Sequence, residues 1–215
     1  MISRVFQTLS RSGRHLCSSE KYLVYQRDLG VGPIPLLHPR IQITFSTHWP
    51  AVEAALRANP SAYEMDTQDF DSLQRCAQEG DECFSAWAGN RLAFFGWIQF
   101  KYRRPVPMTQ IPLGSGRAYI YRCFTAPEFR GLRIYPAALS FGCRGLEKRG
   151  FRRVFIDHAW NNEASRRGIE AIDAKPIGIY RLHCCLGLRW ARFDSKVLTA
   201  MRAEPEVEHA LSGSH

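Results

Sequence analysis

The chain lacks the marks of a metal ribbon, a disulfide scaffold or a membrane anchor. Its seven cysteines (Cys17, Cys76, Cys83, Cys123, Cys143, Cys184 and Cys185) are odd in number and include no C-x-x-C pair. A zinc ribbon and a disulfide framework are therefore not expected, and reduced thiols in a cytoplasmic protein are the default. His183, Cys184 and Cys185 are consecutive, and on a strand they would alternate faces rather than converge on one ion. No metal is expected. The longest apolar run, LAFFGWIQF at 92–100, is nine residues, too short for a bilayer and suited to a buried strand. The first nineteen residues hold no acid and no continuous apolar stretch of the secretory kind. Arg4, Arg11 and Arg14 with Val5, Leu9 and Leu16 fit an amphipathic first helix, with a membrane-surface helix and a transit peptide as alternatives. There is no internal repeat and no low-complexity segment.

What is present is globular. The 215 residues are 45% hydrophobic and 12% aromatic, enough for one domain with appendages and a sizeable core. The formal charge of +9 points to an anionic partner: a phosphorylated cofactor, an acidic carrier protein, a membrane surface or nucleic acid. The basic residues recur in short groups (YRR, FRGLR, EKRGFRR, SRR) rather than in one block. That distribution favours a local anion site, and nucleic acid is not expected as the partner.

Residues 21–28 and 41–45 read as strands, with a Gly- and Pro-broken stretch between them. Residues 49–58 and 66–78 read as helices, the second capped by Asp66 or Thr67. CFSAWAG and RLAFFGWIQFK form a hairpin around GNR. Residues 104–116 are a Pro- and Gly-rich loop. RAYIYRCFT at 117–125 is a strand that places Tyr119, Tyr121 and Cys123 on one face. A helix follows to about 149, with Leu139, Cys143 and Leu146 in its apolar stripe and Gly150 closing it. A strand at 153–157, a helix at 161–172 and one or two strands over GIYRLHCCLGLRWARF complete the fold. The tail from about Glu204 is polar.

Two segments carry chemistry. In FTAPEFRGLRIYPAAL a strand exits through Pro127 into Arg130 and Gly131 and then a helix. A helix N-terminus offers unpaired N–H groups and a positive dipole end, both of which favour phosphate. Gly131 permits close backbone approach, and Pro136 is tolerated in a first helical turn. About thirty residues on, RVFIDHAW leads into NNEAS, where Asn162 and Ser165 open a helix. The pair resembles the core of the GNAT superfamily of N-acetyltransferases over roughly residues 80–185. In that family a motif Arg/Gln-x-x-Gly-x-Gly/Ala holds the pyrophosphate of acetyl-CoA, and an Asn-x-x-Ser helix lies beside the pantetheine arm.

The resemblance implies an acyl-CoA N-acyltransferase fold, a mixed, mostly antiparallel central sheet flanked by helices. It implies acetyl-CoA as cosubstrate, bound by Phe124, Thr125, Arg130, Gly131, Leu132, Arg133, Ile134, Tyr135, Asn162 and Ser165. The expected organisation is an N-terminal helix and strand extension over 1–40, the acyltransferase domain over 41–203 and a flexible tail over 204–215. The match has departures. Arg133 and Tyr135 stand where the family carries Gly and Gly or Ala. Ile169 stands where many relatives have a Tyr that protonates the leaving thiolate, and Asp173-Ala174 replaces Gly-Phe. Candidate bases are Glu82, Asp157 and His158, and candidate acids are Tyr119, Tyr121 and Tyr135. The expected reaction is acetyl transfer to the amine of a small acceptor such as an amino sugar or amino acid derivative. The alternatives are transfer of a longer chain from acyl-carrier protein, with the N-terminal helix on a membrane, and a CoA- or nucleic-acid-binding module without turnover.

Overall fold

The computed structural model describes residues 17–101, 113–185 and 188–202. The proposed first helix, most of the 104–116 loop and the polar tail lie outside them. Eight strands form one sheet in the order β2-β3-β4-β5-β6-β1-β7-β8. The strands are β1 (Cys17–Asp28), β2 (Thr44–Ser46), β3 (Glu82–Ala88), β4 (Arg91–Gln99), β5 (Arg117–Thr125), β6 (Arg153–Ala159), β7 (Lys175–Cys185) and β8 (Leu188–Phe193). Every pairing is antiparallel except β5 with β6. The expected mixed, mostly antiparallel sheet is therefore present. Helices α1 (Trp49–Ala58), α2 (Thr67–Gln78) and α5 (Ser195–Arg202) cover one face, and α3 (Ile134–Lys148) and α4 (Glu163–Glu170) the other. Among the described residues no helix is long and apolar enough to cross a membrane.

Local signals explain most element ends. Asp66 caps α2 through a reciprocal capping box with Asp69, which satisfies two otherwise orphaned amides. At the end of α3 the Gly150 amide donates to the Glu147 carbonyl and the Phe151 amide to that of Leu146. Gly150 has φ +83°, as a left-handed C-terminal motif requires. Leu139, Cys143 and Leu146 are buried against the sheet.

Three expectations are corrected. The strand at 41–45 shrinks to Thr44–Ser46, because the chain before it is spent on α3. The Gly30 amide donates to Glu147, the Pro35 carbonyl accepts from Ser140, and the Arg40 amide donates to the Leu132 carbonyl. The Pro-rich stretch thus straps α3 along its length. Second, Cys17 and Cys185 are joined as a disulfide, where reduced thiols were expected. They stand opposite each other in the β1–β7 register, a proximity that 168 residues of separation conceal from sequence. Third, β1 is no appendage to the sheet: it lies between β6 and β7.

The feature that positions the site is a splay. β5 and β6 pair only from Arg117↔Arg153 to Ile120↔Ile156. Beyond that point β5 follows β4 to Thr125 while β6 follows β1 to Ala159. A wedge opens between residues 121–125 and 157–159. On the far side β5 carries an extra residue, since Phe95↔Phe124 is followed by Trp97↔Tyr121. Arg122 takes φ +48° in this bulge. Opposite it, a Cβ on Gly96 would stand 2.8 Å from the Phe84 ring and 2.9 Å from the Cys123 sulfur. Gly96→Ala should therefore destabilise the fold by about 1–3 kcal/mol through overpacking. Urea unfolding checks this, and an unchanged midpoint would contradict the close approach.

Candidate active site

The cradle stands at the wide end of the wedge. Arg130 leaves a short 3-10 turn (Pro127–Phe129) in extended conformation. Gly131 (φ +79°) and Arg133 (φ +60°) are both left-handed. Among the described residues no backbone carbonyl accepts from the amides of Gly131, Leu132 or Arg133. Successive free amides with alternating handedness make a concavity of the kind that suits an anion, here continuous with the N-terminus of α3. Ile134 is buried and anchors the first turn. Arg133 is the N-cap residue, without a side-chain capping bond, and its side chain is exposed. Its backbone explains why glycine suits this position: left-handed geometry costs a residue with a Cβ about 1–2 kcal/mol.

Arg130 is held over the cradle wall. Its Nε donates to the Thr125 carbonyl at 3.2 Å, and Nη2 to Glu64 at 3.3 Å. Its guanidinium lies 5.6 Å from the Phe124 ring centre. Glu64 belongs to the turn between α1 and α2, so the cradle arginine is tied to the opposite layer of the molecule. Nothing in the sequence announced this pair.

The second element is α4. The Asn162 side chain accepts from the Ser165 amide at 3.0 Å and caps the helix. Tyr135 reaches across from α3 to this turn. A Cβ on Gly168 would sit 2.3 Å from the Tyr135 ring, so the large residue on α3 is matched by an absent side chain on α4. Burial raises the Tyr135 pKa well above its usual value, and the nearby Cys123 and Asp157 raise it further against a hydrogen bond with Ser165. The hydroxyl is therefore a neutral, protonated group near the inner edge of the wedge.

The candidate bases separate. Asp157 follows the last β5–β6 pair, at the apex, and accepts from the Tyr180 hydroxyl at 2.6 Å. Tyr180 is stacked between Tyr22 and Phe193 at 4.8 and 5.0 Å. His158, the next residue, is 5% exposed and turns to the α3 and α4 face beside Tyr25. Its Nδ1 lies 2.7 Å from the Ala159 carbonyl, and Nε2 has no partner. Glu82 is not brought to the apex. It starts β3, with β4 between it and β5, and is paired with Arg149 at the far end of α3. Tyr121 donates to Asp81 and packs with Tyr119 in the core under α1 and α2. Cys123 does not share their face: the bulge at Arg122 turns it towards the α3 side. Among the described residues no group of three His, Cys, Asp or Glu side chains is placed to hold a metal.

The profile of the acetyltransferase (GNAT) family matches residues 49–170, more than half of the chain. The chain belongs to this GNAT family. No curated protein is significantly similar to it. Among solved structures it resembles a GNAT acetyltransferase from Novosphingobium aromaticivorans (14% identity, TM-score 0.51, covering 76% of this chain and 63% of that one). It also resembles a GNAT acetyltransferase from Colwellia psychrerythraea (14%, TM-score 0.52, 88% and 60%). A third is the glucosamine N-acetyltransferase region of a fungal multi-domain β-N-acetylglucosaminidase (14%, TM-score 0.53, 84% and 22%). The chain thus spans less than two thirds of the length of each. At these identities the likeness concerns the fold, and it covers the GNAT sheet and its flanking helices.

The left-handed Arg133 gives a test that needs no ligand. Arg133→Gly should stabilise the free protein by about 1 kcal/mol, the handedness cost less the entropy that glycine adds to the unfolded chain. Arg133→Ala, which keeps the Cβ, should not. Urea midpoints measure both, and equal shifts for the two variants would contradict a left-handed residue at 133.

Proposed function

We propose that the chain transfers an acetyl group from acetyl-CoA to the amine of a small acceptor, such as an amino sugar or amino acid derivative. The observation that carries this reading is the wedge, with an anion cradle at its wide end and Tyr135 and Asp157 near its apex. The pyrophosphate sits on the amides of Gly131 to Tyr135, with Arg130 and Arg133 adding charge. The pantetheine arm lies between β5 and β6 beside Phe124, Thr125, Asn162 and Ser165, and its amides pair with the inner strand edges.

The acceptor amine attacks the thioester carbon, and backbone amides at the β5 bulge stabilise the oxygen as it gains charge. Asp157, through water, takes the proton released by the ammonium. As the tetrahedral centre collapses, the carbon–sulfur bond breaks and the thiolate takes a proton from Tyr135. Ile169, at the position where relatives carry that acid, is fully buried and supplies none. Tyr135 brings a hydroxyl to the same turn of α4 from another helix. This supports turnover over a module that only binds CoA. The Tyr135 ring, packed on Gly168 and 6.1 Å from Phe94, narrows the wedge and favours acetyl over a long chain from a carrier protein.

Acetyl-CoA should raise the melting temperature, by an amount equivalent to about 2.7 kcal/mol at a hundredfold excess over its dissociation constant. Release of free thiol should follow when a primary amine is added. Tyr135→Phe should lower kcat by about a hundredfold and keep the acetyl-CoA melting shift. No melting shift at millimolar acetyl-CoA would overturn the reading, and an unchanged kcat in Tyr135→Phe would remove Tyr135 as the acid.

A further inference from the structure

At the β8 side of the sheet, the face that carries α3 and α4 holds an arrangement the acyl transfer does not use. The registers set Trp160 beside Lys21, Lys21 opposite Arg181 and Arg181 opposite Arg192. One row thus runs from the turn after β6 across three strands as Trp160–Lys21–Arg181–Arg192. The next row is Ser19–His183–Trp190, and the one after it Cys17–Cys185–Leu188. No carboxylate occupies this face of the three strands in these rows. Strand spacing of about 4.8 Å puts the three cations within about 10 Å of one another. Like charges directly opposite on neighbouring strands repel, so an anion joining the row would relieve that repulsion. Arg181 and Arg192 are exposed. Trp160 is 55% and Trp190 46% exposed. Lys21 Nζ lies 3.3 Å over the Trp160 ring, and His183 stacks on Trp190 at 5.2 Å.

We propose that this sheet face binds a short single-stranded nucleic acid, with phosphates on Lys21, Arg181 and Arg192 and bases stacked on Trp160 and Trp190. A flat sheet face with cations and exposed rings suits unpaired bases, whose ring faces are free, and not a duplex, whose bases are stacked on one another. A membrane-inserting patch has an apolar centre rimmed by cations; here the cations form one continuous row, with Trp160 at one end and Trp190 beside Arg192 at the other. The sequence spreads Lys21, Arg181 and Arg192 over most of the chain, and only the strand order assembles them. The proposal does not depend on the acyl-transfer reading, since no cradle residue takes part.

The test is fluorescence anisotropy of a labelled oligo(U) ten-mer titrated with the full chain at about 50 and about 200 mM salt. Three phosphate contacts predict affinity falling about fifteen- to twentyfold between those salts. The Arg181→Gln, Arg192→Gln double variant should bind at least about tenfold more weakly at low salt. It should melt no lower than the parent, because it removes like-charge repulsion. Trp190→Ala should weaken binding at both salts. As a readout needing no variant, unlabelled oligo(U) should quench the intrinsic tryptophan fluorescence of the parent. Absence of saturable binding up to about 100 µM protein, the weak end of non-specific binding, would overturn the proposal. So would unchanged affinity in the double variant, equal affinity for a duplex of the same length, or binding to phosphatidylserine vesicles that oligo(U) does not displace.

Discussion

The architecture turns on one break in hydrogen bonding: β5 and β6 stop pairing after Ile120 and Ile156. Backbone amides and carbonyls on the two inner edges lose their ladder partners there, and such groups demand others. β4 and β1 hold the outer edges in place, so the gap cannot close by sliding the strands together. The bulge at Arg122 and the bare Gly96 opposite it let β5 bend away. The wedge is therefore built into the sheet and does not wait for a ligand to part the strands.

Around that gap the chain places groups from distant segments. The Pro-rich strap fixes α3 from Glu147 to Leu132, and with it the cradle at the start of the helix. Asn162 fixes the first turn of α4. Tyr135 spans the two helices because Gly168 leaves room for its ring. Ile169 is buried one residue on from that contact, and under the proposed reaction Tyr135 would supply the hydroxyl that position 169 lacks. Glu64 and Arg130 link the Gly131 turn to the α1–α2 turn, so the two layers meet at the wide end of the wedge.

Features written within a few residues were legible in the sequence. The capping box at Asp66, the glycine after α3, the hairpin at Gly89-Asn90 and the Asn162 cap each follow from local chemistry. The Gly131 turn before α3 was legible for the same reason, whereas the left-handed backbone of Arg133 emerged only from the structure. Contacts made by strand order were not legible. β1 lies between β6 and β7, which pairs Cys17 with Cys185 and lines up Lys21 with Arg181. Glu82 looked available on its hairpin, yet it lies on β3 across β4 from the wedge. Cys123 left the face of Tyr119 and Tyr121 because one extra residue in β5 reverses the alternation.

The central claim is that the gap between β5 and β6 receives the pantetheine arm and that the turn from Gly131 to Tyr135 receives the pyrophosphate. Amide hydrogen exchange with and without CoA tests it at the level of individual segments. The account predicts slowed exchange on CoA binding in 121–125, 157–159 and 131–135, with β3, β7 and β8 unchanged. Protection confined to β7 and β8, or no protection in 121–125 while CoA is bound, would contradict it.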